Sequence, residues 1–168
     1  MSGNCFITVG VPCEEEPEKI RGLSEEEYRK LKTQCDVLLV EADGAKRKPL
    51  KVPAEHEPVI PEDTDMVIGI AGASAIGRTI KAGCHRGELV GELLGKKLSE
   101  ILTEEDVMTI LKSKAGQKKH VKQKYRMVIG QADLLTQEQV EKFKKEQGIC
   151  LYSRKGGADT NGENIGIS

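Results

Sequence analysis

Residues 37–61 read VLLVEADGAKRKPLKVPAEHEPVIP, and this stretch decides the fold that we predict. The apolar run at 37–40 is typical of a buried strand. It ends at two carboxylates, Glu41 and Asp43, which Gly44 follows. Because α/β proteins bind ligands where parallel strands end, we predict a functional edge of a sheet at this point.

A long basic loop over 43–64 follows this predicted strand. Loops of about twenty residues are uncommon in compact domains and are usually functional or mobile. Prolines at 49, 53, 58 and 61 restrict its freedom and favour a shaped surface. We predict that its cations bind phosphate, with plain surface charge as the alternative; these cations are Lys46, Arg47, Lys48 and Lys51.

The composition narrows the class of protein. The chain has 168 residues, 38% hydrophobic and 3% aromatic, with no tryptophan and a formal net charge of −1. Near neutrality gives no general attraction to nucleic acid or anionic membrane, and the few aromatic residues make a base-stacking surface improbable. The chain has five cysteines, an odd number, and no two of them have C-x-x-C spacing, which favours reduced thiols over a disulfide framework. Without a signal peptide or a long apolar run, we expect a cytoplasmic protein.

Strand and helix patterns alternate along the chain. Strands are predicted at 6–10, 37–40, 66–71, 125–129 and 149–152. Helices are predicted after Ser24, along an apolar stripe at 89–102, after Thr103 with Asp106, and after Thr136 with Gln139. This alternation predicts a single α/β domain over 1–168, with a three-layer, mostly parallel sheet and a flexible polar tail at 154–168.

Several residues are candidates for chemistry. Glu41 and Asp43 could hold Mg²⁺ as catalytic acids, or be a solvated strand end and turn. His56, between Glu55 and Glu57, could be an acid, a base or a ligand, or a surface histidine. His85 and Arg86 could bind an anion.

Cys84 precedes that pair of residues. A thiol beside cations could be reactive, although a small buried cysteine fits the pattern better.

Two segments imitate a phosphate loop, which would require G-x-x-x-x-G-K-[ST]. Residues 91–96 are one residue short and lie in the apolar stripe, so we interpret them as core packing. Residues 72–79 carry Arg78 in place of the lysine, and we interpret them as a strand-to-helix turn. Asp133 follows the 125–129 strand, where P-loop GTPases carry a base-reading aspartate, but Gln131 and Ala132 replace the other residues of that motif.

A basic stretch occupies residues 107–132. It contains no acidic residue and seven lysines or arginines. Such a run is usually a solvated connector, and otherwise a patch that faces anions.

The chain resembles a known family at residues 40–61. The stretch VEADGAKRKPLKVPAEHEPVIP is similar to the hallmark of the selenium-dependent molybdenum hydroxylase accessory proteins, also called selenium cofactor biosynthesis or YqeC-like proteins. The segments 72–77, 84–86 and 125–133 follow in the expected order, so the resemblance runs from about Phe6 onward. It implies a P-loop-type α/β domain in bacteria that mature selenium-containing molybdenum hydroxylases.

This chain departs from the family pattern at its start. The family opens with a strand and a Gly-x-Gly-Gly-Lys-[ST] phosphate loop, which this sequence lacks. We therefore expect a P-loop-like domain without its first βα unit, and whether it is an enzyme stays open. A missing central strand would expose apolar surface, which predicts a homodimer or a substitute strand.

The resemblance and the loop together predict an accessory protein for the hydroxylase. It would bind Mg²⁺ with ATP or GTP, or another anionic cofactor that bears phosphate. Alternatives are a non-catalytic scaffold that docks the hydroxylase or its cofactor, and, more weakly, a transition-metal carrier using His56, His85 and cysteines. Glu41 and Asp43 would be catalytic and metal-binding; the cofactor-binding residues would be Gly44, Lys46, Arg47, Lys48, Lys51, His56, Glu57, His85, Arg86 and Asp133.

Overall fold

The computed structural model describes residues 7–12 and 20–153, and its contacts divide the chain into two compact units, Met1–Val40 and Glu41–Ser168. In the smaller unit, strand β1 (Val11–Pro12) pairs antiparallel with β2 (Ile20–Arg21). Helix α1 (Glu25–Lys32) follows. It begins as predicted, because Ser24 and Glu27 form a capping box that satisfies backbone N–H groups of the first turn.

The predicted strand at 37–40 is wrong. This segment has no strand structure, and the side chains of Val37 and Leu39 are 71% and 85% exposed. An apolar run becomes a strand only when a neighbouring strand accepts its hydrogen bonds, and no described strand pairs with it.

The strand predicted at 6–10 is also misplaced. Phe6 lies outside the described residues, and residues 7–10 form no strand; the pairing begins one residue later, at Val11. Within the described ranges, the first strand pairs with β2 alone, in a two-stranded sheet.

A parallel three-stranded sheet forms the centre of the larger unit, and it confirms the predicted parallel α/β arrangement. Its order is β4 (Met66–Gly72), β6 (Lys124–Gly130), β7 (Ile149–Leu151). Two further short strands, β3 (Leu50–Lys51) and β5 (Cys84–His85), pair in parallel with each other. The strand β3 interrupts the long loop that was predicted over 43–64.

Up to residue 153, where the described part of this unit ends, its helices are α2 (Ile80–Gly83), α3 (Gly87–Leu94), α4 (Glu104–Lys112) and α5 (Gln137–Lys144). The predicted capping boxes at the starts of α4 and α5 are both present. The apolar stripe at 89–102 is helical only to Leu94, because Gly95 adopts φ +66° and ends the helix with a left-handed cap. Leu102 lies beyond that end but is still fully buried.

The hydrophobic core lies on one side of the sheet. Helix α4 packs on β4, and α5 packs on β7. Fully buried side chains in this core include Val90, Leu102, Val107, Ile110, Leu111, Ile129 and Phe143.

The other face of β4 is open. Met66, Ile68 and Ile70 alternate along the strand and are 38%, 48% and 59% exposed. The described residues therefore build two layers at β4, where three were predicted. The predicted tail at 154–168 lies outside the described residues. None of the described helices is long and apolar enough to cross a membrane.

Candidate functional site

The centre of the candidate site is Lys51, whose side chain is only 5% exposed. Strand β3 holds it in place by pairing with β5, and the Pro49 carbonyl accepts a hydrogen bond of 2.7 Å from Gly72 N–H. Because Gly72 is the last residue of β4, the loop lies at the carboxyl end of that strand. The sequence predicted a site at the end of a strand at 37–40; that strand is absent, and the loop lies instead at the carboxyl end of β4.

The buried Lys51 ammonium finds all its partners in the loop. Its Nζ donates to the Asp43 carboxylate, to the Gly44 carbonyl at 2.9 Å, and to Glu57 Oε2 at 3.2 Å. A buried charge is tolerated only when it is paired and hydrogen-bonded, so these contacts explain how a lysine can lie within the fold.

Arg86 completes the arrangement from another element. Its guanidinium donates to both carboxylate oxygens of Glu57, with Nη2 3.0 Å from Oε1. The backbone N–H of Ala54 also donates to Glu57, at 3.2 Å. We call Asp43, Lys51, Glu57 and Arg86 the ionic cluster; it joins the loop to the start of α3.

The pKa values of the two carboxylates in the ionic cluster are shifted in opposite directions. The Arg86 guanidinium holds the pKa of Glu57 well below its usual range, with further help from the Ala54 N–H and Lys51. Burial raises the pKa of Asp43, and the neighbouring Glu57 charge adds to that rise, although Lys51 opposes it. As the pH rises, Glu57 therefore loses its proton before Asp43 does.

Three cations border the ionic cluster, and we call Lys46, Arg47 and Lys48 the cationic rim. A hydrogen bond of 2.9 Å from Lys48 N–H to the Ala45 carbonyl closes a turn. Its two central residues, Lys46 and Arg47, have φ of 47° and 63°. Such values are uncommon outside glycine, so this exposed turn holds its two cations in a costly backbone conformation.

Lys48 differs from its two neighbours in its anchoring. Its Nζ donates to the Ala82 carbonyl at 2.8 Å, near the end of α2. None of the three rim cations forms an ion pair within the described residues.

His85 lies among these charges. Burial lowers its pKa, and the cations Lys51, Arg86 and Lys46 lower it further. A neutral imidazole in positive surroundings can donate to, or accept from, a bound anion. His56 is 80% exposed and lies 4.0 Å from Glu57 Oε1, which fits a surface histidine.

Other predicted residues are not part of the ionic cluster. Glu41 is exposed, and its carboxylate lies against Gly44. Asp133 is in the turn after β6, where it accepts a hydrogen bond of 3.1 Å from Ser153 Oγ. Among the described residues, no group of three histidine, cysteine, aspartate or glutamate side chains could hold a metal ion.

The structure also contains an anchoring residue that the sequence did not single out. Lys119 Nζ donates to the carbonyl of Ala54 at 2.9 Å, and the N–H of the same residue donates to Glu57. Its only sequence signal was its place in the acid-free stretch at 107–132, and that signal does not distinguish an anchor from surface charge.

The segments that imitate a phosphate loop have structural roles. Residues 72–79 form a strand-to-helix turn, as predicted: Ala73–Ala75 is a 3-10 helix and Thr79 caps α2. At Gly91 a Cβ would lie 2.6 Å from the Lys96 carbonyl, so this glycine permits close packing of α3. Cys84 is buried, and burial raises the pKa of its thiol to about 11, which agrees with its interpretation as a core residue.

Comparison with known proteins identifies the family of this chain. Residues 2–88 match the family described as YqeC protein, and that range contains the whole ionic cluster and cationic rim. The chain is 33% identical over 113 residues to the "Uncharacterized protein YqeC" of Escherichia coli (strain K12), which covers 66% of this chain and 44% of that protein. The chain thus spans less than half the length of this relative. No solved structure matches it. Since the family match covers more than half of the chain, the chain belongs to the YqeC family.

Proposed function

We propose that the cationic rim and His85 bind an anionic ligand that bears phosphate, either a nucleotide with Mg²⁺ (ATP or GTP) or a phosphorylated cofactor. In this proposal the protein is an accessory factor in the maturation of selenium-dependent molybdenum hydroxylases. The observation that carries the binding proposal is the excess of positive charge beside the ionic cluster.

The charges around the site do not balance. Inside the ionic cluster, Lys51 and Arg86 are matched by Asp43 and Glu57. The rim adds Lys46, Arg47 and Lys48, for which the described residues supply no carboxylate partner. Phosphate groups are the ligands that such lysines and arginines bind best, through charge-assisted hydrogen bonds.

The ionic cluster has a supporting part in this proposal. It fixes the loop against α3 through side chains that are themselves paired, so the rim is presented on a rigid base. A binding group that is already ordered loses less entropy when the ligand arrives.

Magnesium would enter with the ligand. Glu41 is the carboxylate open to a cation carried by the phosphates, whereas Asp43 would first have to release Lys51. Carboxylate oxygens together with phosphates are the usual environment of Mg²⁺. We therefore expect Mg²⁺ to strengthen nucleotide binding through Glu41.

A two-dimensional amide NMR titration with inorganic diphosphate, and then with Mg²⁺-ATP, would locate the ligand. We expect the largest shifts at residues 43–57 and 84–86. Lys46→Glu should weaken diphosphate binding at least about tenfold, which corresponds to roughly 1.4 kcal/mol. Lys114→Glu, the same charge change on an exposed residue of another segment, is the matched control. Shifts that are confined to other regions would contradict the proposal.

A second candidate function is a scaffold that docks the hydroxylase or its cofactor and performs no chemistry. The closed pairing of the ionic cluster favours it, because neither Asp43 nor Glu57 is free to act as a base. Turnover of ATP or GTP by the purified chain, lost in Glu41→Gln, would exclude the scaffold.

A further inference from the structure

The open face of the central sheet carries cationic side chains beside its apolar ones. In the parallel register, Met66 lies beside Lys124, Ile68 beside Arg126, and Ile70 beside Val128. Side chains that are paired in register point to the same face of a sheet. An apolar row on β4 therefore runs next to a row on β6 that carries two cations.

All the principal side chains of this face are accessible. Met66, Ile68 and Ile70 are each more than a third exposed, and Lys124 and Arg126 are exposed as well. We call these five residues the docking face. Exposed apolar patches that adjoin charged residues commonly mark interaction sites.

The two cations of the docking face lack acidic partners. Among the residues that the structure describes, the Arg126 guanidinium donates a single long hydrogen bond of 3.4 Å, to the carbonyl of its neighbour Tyr125. Within the described residues, neither Lys124 nor Arg126 forms an ion pair. The surrounding stretch at 107–132 contains no acidic residue that could supply one.

We propose that the docking face binds an amphipathic helix of a partner protein, whose apolar stripe covers β4 and whose flanking carboxylates pair with Lys124 and Arg126. Charge complementarity selects this occupant. A second copy of the chain would present the same cations on this face and no acid to neutralise them. A helix is chosen because helices cover the faces of parallel sheets.

The dimensions of the face set the length of that helix. From Met66 to Ile70 the strand rises about 13 Å, at roughly 3.3 Å per residue. A helix covers that distance with about nine residues, at 1.5 Å per residue. The partner would thus contribute about two and a half turns, with carboxylates on one side of the apolar stripe.

Two synthetic helical peptides of about fourteen residues test this proposal. Both carry the same leucine stripe, but one has glutamates beside it and the other has lysines. Fluorescence anisotropy should show that the glutamate peptide binds at least about tenfold more tightly, with an affinity that falls as salt is added.

Variants separate the apolar and charged contributions. Ile68→Asp should abolish binding of the glutamate peptide, and Arg126→Glu should reverse the preference toward the lysine peptide. The matched controls are Val59→Asp and Lys114→Glu, which change exposed residues outside the docking face. Circular dichroism verifies that each variant is folded, and hydrogen exchange should show protection of β4 and β6.

Three results would overturn the proposal. Equal affinity for both peptides would remove the role of charge, and no binding of either up to about 1 mM would remove the site. Self-association of the chain that Ile68→Asp abolishes would assign the face to a second copy.

Discussion

Glu57 is the residue through which the ionic cluster holds together. Its carboxylate accepts hydrogen bonds from Lys51, Arg86 and the Ala54 backbone, so one side chain ties the loop to both β3 and α3. Replacing either of its cationic partners leaves a partly buried carboxylate with fewer donors. The cost of such a change depends on pH, because it depends on the charge of Glu57.

Arg86→Met should destabilise the protein by roughly 1–3 kcal/mol at pH 7, below the cost for a fully buried pair because Arg86 is partly exposed. The pKa of Glu57 is depressed in the folded state. The stability that ionised Glu57 contributes is therefore fully present at pH values above its pKa in the unfolded chain, and it is lost as the pH falls through its pKa in the folded state. Urea unfolding should therefore show a smaller effect at about pH 3.5 than at pH 7.

Arg47→Met is the matched control for this variant. It removes the same charge from an exposed side chain and should change the free energy of unfolding by no more than about 0.5 kcal/mol. An Arg86→Met effect that does not change with pH would mean that Arg86 contributes packing and not charge.

Cys84 should be the slowest of the described cysteines to react. Burial raises the pKa of its thiol to about 11, whereas Cys35 is exposed. Since only the thiolate is nucleophilic, alkylation by iodoacetamide at pH 8 should be at least about 100-fold slower at Cys84 than at Cys35. Peptide mass spectrometry measures both rates, and similar rates would contradict the buried placement of Cys84.

At the scale of the secondary-structure elements, the stability of helix α4 depends on the residues at its start. Thr103 and Asp106 form a capping box, and Lys96 also donates to the buried Asp106 carboxylate. Thr103→Ala should cost about 1 kcal/mol, because it leaves the N–H of Asp106 without its acceptor. Urea unfolding measures this change.

Thr109→Ala provides the comparison on the same helix. Thr109 is exposed, and its hydroxyl donates to the Glu105 carbonyl within the helix, so its removal should cost less than about 0.5 kcal/mol. An equal loss of stability in the two variants would argue against the capping role of Thr103.

The helices and strands show which features of the fold could be predicted from the sequence. The capping boxes of α1, α4 and α5 were predictable because a cap depends on residues three positions apart. The strands β4 and β6 were predictable from their apolar runs. The run at 37–40 is also apolar but pairs with no strand in the part of the chain that the structure describes. Pairing of strands is a tertiary property that a local pattern does not contain.

At the scale of the whole molecule, the buried core that the structure describes lies in the larger unit. Every buried hydrophobic residue that the structure describes lies between Leu50 and Phe143. A fragment of residues 41–168 should therefore fold by itself, with a free energy of unfolding within about 1 kcal/mol of the whole chain. Cooperative urea unfolding of the fragment tests this, and loss of cooperativity would show that residues 1–40 complete the core.

The candidate site was partly predictable for a similar reason. The acids and cations of the loop at 43–64 are visible in the sequence. The edge was expected at the end of a strand at 37–40 that does not form, and the loop lies instead at the carboxyl end of β4. The pairing of Glu57 with Arg86 joins residues far apart in the chain, and the engagement of Asp43 by Lys51 depends on burial. Neither distance nor burial can be read from the order of residues in a loop.

A calorimetric titration of the chain with Mg²⁺-ATP and Mg²⁺-GTP would show directly whether the cationic rim is a phosphate site. We expect at least one of the two nucleotides to bind in the micromolar range, corresponding to about 8 kcal/mol, and the Lys46→Glu variant to bind it much more weakly. No heat of binding to either nucleotide or to diphosphate, up to about millimolar concentration, would contradict the claim that the cationic rim is a phosphate site.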